Sequence, residues 1–190
     1  ASKAASDHLG RAWFKTYKLP VIITNTTNNY GPWQFPEKLI PLAILKALSG
    51  EAIPLYGDGS NVRDWLFVED HLDALLISST QGKIGRSYCI GSNNEKTNRE
   101  VIETICLLLD KYKSQKYSYT RLIKLVKDRP GHDQRYSIDA SRLSNELGWI
   151  PKYNFKRGID ETVKWYLNNQ SWCDNAISKS SYKGDRLGSI

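Results

Sequence analysis

Apolar residues recur along this chain with two different periods. Between Lys3 and Tyr17, the residues Ala5, Leu9, Ala12 and Trp13 fall at i, i+4, i+7 and i+8, which predicts a helix with one apolar stripe seeking a partner surface. Pro20 to Asn25 follows with small, apolar or β-branched residues on both faces, the pattern of a strand covered on both sides. A helix leading into such a strand is the mark of a parallel sheet, and one unit of this kind cannot build a sheet alone.

The remaining pattern alternates between strands and helices. Tyr30-Gly31-Pro32 reads as a turn, entered through Asn28-Asn29, and a helix is predicted from about Glu37 to Leu48, with Pro41 in its first turn and Gly50 ending it. Ile53 to Tyr56 and Val62 to Val68 read as strands on either side of Gly57-Asp58-Gly59, followed by a helix from Glu69 to about Ser79 and a strand from Ser87 to Ile90. Thr97 and Glu100 have the spacing of a capping box that opens a helix containing Val101, Ile102, Ile105, Leu108 and Leu109. Asp139 is predicted to cap a short helix ending at Gly148, and Asn154 a longer one through Ile159, Val163, Tyr166 and Leu167. The fold class is therefore α/β. Residues 179–190 are polar and glycine-containing, and a loosely held tail is expected there.

Composition narrows the class of protein. With 190 residues, 40% hydrophobic and 25% charged, the chain suits a globular fold with a real core. The apolar run from Leu39 to Leu48 is too short to span a bilayer, so no membrane association and a cytoplasmic location are expected. Three widely spaced cysteines, Cys89, Cys106 and Cys173, fit neither a disulfide framework nor a zinc site; Cys89 and Cys106 are expected to be small buried packing residues. His8 and His71 lack a second metal-type ligand at i+3 or i+4, so no metal is expected. The net charge of +7 raises nucleic acid as a partner, through the lysines and tyrosines between Lys111 and Lys127. A solvated connecting loop is the preferred reading of that segment.

Two motifs carry a resemblance. Asn28-Asn29-Tyr30-Gly31-Pro32-Trp33-Gln34-Phe35-Pro36-Glu37-Lys38-Leu39-Ile40-Pro41 and Asp128-Arg129-Pro130-Gly131-His132-Asp133 together resemble the nucleotide-sugar enzymes of the extended short-chain dehydrogenase/reductase family, its 4,6-dehydratases above all. Ala1-Ser2-Lys3 resembles the end of that family's Tyr-x-x-x-Lys motif, with the tyrosine falling two positions before Ala1. No Gly-x-Gly-x-x-Gly turn between a strand and a helix occurs in the 190 residues. The expectation is a C-terminal portion that is inactive by itself: residues 1–35 as a remnant of a Rossmann-type dinucleotide-binding sheet, with its elements interleaving further on, and 36–178 mainly as a smaller mixed α/β substrate-binding lobe.

The resemblance also implies a chemistry. NAD removes hydride from carbon 4 of dTDP-glucose, water leaves across carbons 5 and 6, and the hydride returns at carbon 6. Lys3 would assist the tyrosine and hold cofactor hydroxyls, and Asn29 would approach the nicotinamide. The dTDP-sugar would be held by Asn28, Lys38, Leu39, Pro54, Tyr56, Arg63, Asn98, Arg129 and His132. Residue chemistry supports several of these independently. Arg63 and Arg129 can fork onto adjacent phosphates, and Pro54 and Tyr56, two apart on a strand, project from one face as a slot for a flat base. Both features also suit ordinary surface or core roles: an arginine before proline, a tyrosine in a short strand. Relatives of this kind are homodimers. The alternatives are a nucleotide-sugar epimerase or decarboxylase of the same family, and a noncatalytic nucleotide- or RNA-binding module. Without neighbours, the Val21 to Thr24 strand is expected to stay unpaired and prone to association.

Overall fold

The computed structural model describes residues 1–180. The tail expected over 179–190 therefore lies, from 181 onward, outside the described residues. Helix α1 (Ser2–Tyr17) leads through Lys18, in the left-handed region at φ 58°, to strand β1 (Ile23–Thr26). β1 is not orphaned. It pairs in parallel with β5 (Ser87–Ile90), in register Ile23 with Ser87 through Thr26 with Ile90. The expectation of an unpaired strand is corrected by a partner some sixty residues away, which local pattern cannot reveal. The strand is also half-buried rather than enclosed.

α1 lies on this small sheet by a face other than its apolar stripe. Arg11 Nη2 donates to Ser87 Oγ at 2.7 Å, Asn25 Nδ2 donates to Asp7 Oδ2 at 3.1 Å, and the Phe14 ring closes over Gly85. Leu9 and Trp13, in the stripe expected to seek a partner surface, are 60% and 54% exposed. Close approach selects the face with the smallest obstacle, here Gly10 against Val21 and Ile23, and the stripe is left pointing outward.

A second, four-stranded sheet is centred on β4 (Val62–Phe67). β2 (Asn28–Tyr30) and β8 (Arg135–Tyr136) pair with it in parallel and β6 (Glu95–Thr97) antiparallel. Asn28 and Asn29 therefore belong to a strand, not to the turn. A third pair joins β3 (Ile53–Tyr56) in parallel to β7 (Ile123–Val126). β7 follows a 3₁₀ turn (Tyr119–Leu122), so the lysine- and tyrosine-bearing segment is only partly a loop; its lysines hid a strand whose apolar positions alternate too briefly to register. Among the described residues, no helix is long and apolar enough to cross a membrane.

Helices α2 (Leu39–Leu48), α4 (Asn98–Tyr112) and α6 (Phe155–Asn168) bury one stripe each against the other two in the larger core, with α7 (Gln170–Ser178) beside α6. The Thr97–Glu100 capping box forms as read, and Asn154 caps α6 by accepting from Arg157 N–H at 2.9 Å. Asp139 sits one residue before the N-cap, Ala140, of α5 (Ser141–Leu147) and accepts from Ser141 N–H. A smaller cluster of Leu66, Ala74, Tyr88, Ile90, Leu143 and Trp149 joins α3 (Val68–Gln81) and α5 to β5. Cys106 and Cys173 are buried as packing residues, whereas Cys89 is only half-buried.

Gly158 is where α6 meets β2 and β4 most closely. A Cβ there would stand 2.2 Å from the Tyr30 hydroxyl and 3.1 Å from the Phe67 ring, both fully buried side chains. Gly158→Ala is expected to destabilise the fold by about 1 to 3 kcal/mol through overpacking, despite the ~1 kcal/mol that alanine offers a helix interior. Urea denaturation measures this, and an unchanged midpoint would mean that α6 can move off the sheet freely.

Candidate functional site

The β4-centred sheet, the β3–β7 pair, α2, the start of α4 and the Asp128 to Asp133 segment line a cavity of about 490 Å³. Every residue that the sequence assigned to a nucleotide-sugar lines it: Asn28, Lys38, Leu39, Pro54, Tyr56, Arg63, Asn98, Arg129 and His132. Six separate chain segments thus converge on one space.

Each position has a local cause. Asn28 faces Trp65 across the β2–β4 ladder, and Arg63 lies two residues earlier on β4, so all three side chains share one face. Asn98 opens α4, fixed by its own N–H to Asn61 O at 3.0 Å and by the adjacent capping box. Lys38 is the N-cap of α2 and makes no side-chain cap, so the first-turn N–H groups of that helix are available to an anion. Pro54 and Tyr56 lie beside Lys124 and Val126 in the parallel β3–β7 ladder. Gly57 N–H donates to Val126 O at 2.9 Å, which brings the ends of β3 and β7 together just before Asp128 and Arg129.

The Asp128 to Asp133 segment is held by its own first residue. Asp128 Oδ1 accepts from Arg129 N–H at 2.8 Å and meets His132 Nδ1 at 2.7 Å. These bonds, the His132 contact foremost, hold the Asp128 carboxyl below its ordinary range. His132 is placed edge-on to Tyr56, with ring centroids 6.4 Å apart. Arg63 is only 7% exposed, and one of its N–H groups is spent on Val62 O at 2.6 Å. Burial pulls its guanidinium below the ordinary value; Asp133 opposes this and the positive charge of Arg129 adds to it. Two guanidinium groups that repel each other at one end of a cavity are a site prepared for a polyanion.

The two residues assigned to the cofactor stand elsewhere. Asn29, next along β2, points to the opposite side and lines a second cavity of about 550 Å³ with Trp33, Val68 and Trp165. Its Oδ1 is buried without a partner. Lys3 is exposed on the first turn of α1, one turn before Asp7 on the face that meets Asn25. Neither touches the first cavity.

Residues unforeseen from sequence complete the first wall. Leu42 and Lys46 follow Leu39 at i+3 and i+7 on α2, and Trp65 follows Arg63 at i+2, so periodicity could have supplied them. Lys124 and Val126 could not be found without β7.

A family model for GDP-mannose 4,6 dehydratase matches residues 1–162. The dTDP-glucose 4,6-dehydratase of Neisseria meningitidis serogroup B is 54% identical over 192 residues, covering 99% of this chain and 54% of that protein. A dTDP-glucose 4,6-dehydratase from Bacillus anthracis, solved in complex with NAD, superposes with a TM-score of 0.83 at 51% identity over 92% of this chain and 53% of that one. Its Streptomyces venezuelae counterpart, also solved with NAD bound, gives 0.84 at 43% identity over 92% and 52%. The chain spans about half the length of the relatives it matches. With the family model covering most of the 190 residues and the fold superposing on solved dehydratases at TM-scores of 0.83 and 0.84, the chain belongs to the GDP-mannose 4,6 dehydratase family.

Proposed function

We propose that this chain is the nucleotide-sugar-holding part of a dTDP-glucose 4,6-dehydratase. The observation that carries the reading is the convergence of Asn28, Lys38, Tyr56, Arg63, Asn98 and Arg129 on one cavity from six segments. Arg63 and Arg129 clamp the diphosphate, with the open N-terminus of α2 adding donors, and the Pro54–Tyr56 ledge receives the base. Asn28 bonds the sugar nucleotide from β2, and Asn98 and His132 complete the wall.

NAD fits the second cavity in one respect: Asn29 Oδ1 is a buried acceptor without a partner, suited to a donor at the nicotinamide end. NAD would supply hydride uptake at carbon 4 and its return at carbon 6. Lys3 would hold ribose hydroxyls and lower the pKa of a helical tyrosine four residues before it. That tyrosine and the acid and base of the elimination are not among the 190 residues, so these residues alone are proposed to bind the sugar nucleotide without turning it over. The division into residues 1–35 and 36–178 is retained with one qualification of content: β5 and α5 pack with β1 and its neighbours, so the sheet portion draws on both stretches. The outward Leu9, Trp13 and Tyr17 of α1 support a subunit contact and a homodimeric enzyme.

Calorimetric titration of the chain with dTDP, and with UDP for comparison, tests this. Saturable binding at moderate salt with a preference for dTDP is expected. A folded chain that binds neither nucleotide, or prefers UDP, would refute the reading.

A further inference from the structure

We propose that Lys124 sets the base preference of the first cavity, selecting a pyrimidine with a carbonyl at position 4 over one with an amino group there. The inference rests on the nucleotide reading above and adds to it a residue that the motifs do not contain.

The cavity is polar at one end and mostly apolar at the other. β3 and β7 run side by side toward the Asp128 to His132 segment, so Arg129 and His132 stand at their carboxyl ends, with Arg63 nearby. Pro54 and Lys124 are register partners two residues earlier, about 7 Å back along the strands. Leu42, Ala52 and Pro54 wall that far end. With the diphosphate clamped by the arginines, the far end receives the other extremity of the nucleotide, its base.

Two lysines reach that end, and only one is free to read the base. Lys46 Nζ is engaged by Glu51 Oε2 at 2.9 Å. Lys124 shares the strand face of Val126, which also lines the cavity, and among the described residues it has no hydrogen-bond or ion-pair partner. An ammonium group has three donors and no acceptor. It can donate to the carbonyl oxygen of a keto pyrimidine, but it meets an exocyclic amine as donor against donor. Discrimination by mismatched donors is stronger than discrimination by shape at an open rim, because the amine must give up a water without replacing it.

The test compares dUDP with dCDP, which differ at position 4 of the base and in the proton on N3, by calorimetric titration of the 190-residue chain and its variants. The unaltered chain is expected to prefer dUDP. In Lys124→Met the preference shrinks by about fivefold, through weaker dUDP binding, and in Lys124→Arg it is retained, since the guanidinium also only donates. Equal losses for both nucleotides would show that the lysine contributes charge alone, and an unchanged ratio that it does not reach the base; either result overturns the proposal. If the folded, unaltered chain binds neither nucleotide, the nucleotide reading itself fails and this inference with it.

Discussion

Arg63→Met is expected to weaken dTDP binding by about a hundredfold while leaving the stability of the free chain unchanged or slightly raised. The two halves of this expectation come from one observation. Arg63 is almost fully buried, and among the described residues no carboxylate forms an ion pair with its guanidinium; burial foremost, and then the neighbouring Arg129 charge, disfavour its ionised form, opposed by the charge of Asp133 without a direct contact. A buried cation with that little compensation is a cost to the folded state, which methionine of similar length removes. In the proposed complex the same group would donate two charge-assisted bonds to a diphosphate, each about 1.5 to 3 kcal/mol, so their loss would reach the hundredfold range. Arg63→Lys restores little, because an ammonium cannot reproduce the fork. Arg129, exposed at the rim, should lose less on truncation, and the double variant should lose less than the sum, since both are proposed to grip one diphosphate. Titration calorimetry with urea denaturation on the same samples decides the matter. Binding within about threefold of the unaltered chain would remove Arg63 from the clamp.

Asp64→Ala should destabilise the fold by about 3 kcal/mol or more, a large stability effect for a single site. Asp64 is fully buried beside Arg63 on β4, with its side chain on the opposite face. One carboxylate oxygen accepts from Asn94 N–H at 2.8 Å and from the Ser92 hydroxyl at 3.0 Å; the other accepts from Ser92 N–H at 3.0 Å. The turn between β5 and β6 is thus built around a carboxylate. Gly91 lets it approach, since a Cβ there would come within 2.7 Å of Asp64 Oδ2. Alanine strands two backbone donors in the interior, each at about 1 to 3 kcal/mol. Asn at the same place keeps one accepting oxygen but sets an amide donor against Ser92 N–H, so Asp64→Asn should cost about half as much. The midpoint of urea unfolding measures both. A loss under about 0.5 kcal/mol for the alanine variant would mean that water fills the carboxylate's place without difficulty.

How much of this was legible beforehand depends on the range of each interaction. The helices were, because a stripe such as Val101, Ile102, Ile105 and Leu109, with Thr97 and Glu100 at its start, is written within one turn of itself. The residues of the candidate site were legible only through motifs: nothing local connects Arg63 with Arg129, or Asn28 with Asn98. Trp65 and Leu42 were unforeseen, although periodicity could have supplied them once Arg63 and Leu39 were placed. Lys124 did not, because β7 is four residues long, carries a lysine and gains its identity from pairing with β3.

By itself the sequence determined the α/β alternation, the caps and the chemical inventory of the cavity, since these depend on side-chain period and on residues three or four apart. Tertiary structure alone decided which strands pair, that β1 finds β5 rather than remaining unpaired, and that α1 turns Gly10 and Phe14 rather than Leu9 and Trp13 toward the sheet. The division is physical: helix and cap energies are local, whereas a parallel ladder and a shared cavity exist only when segments distant in the chain are brought together by burial of the core between them.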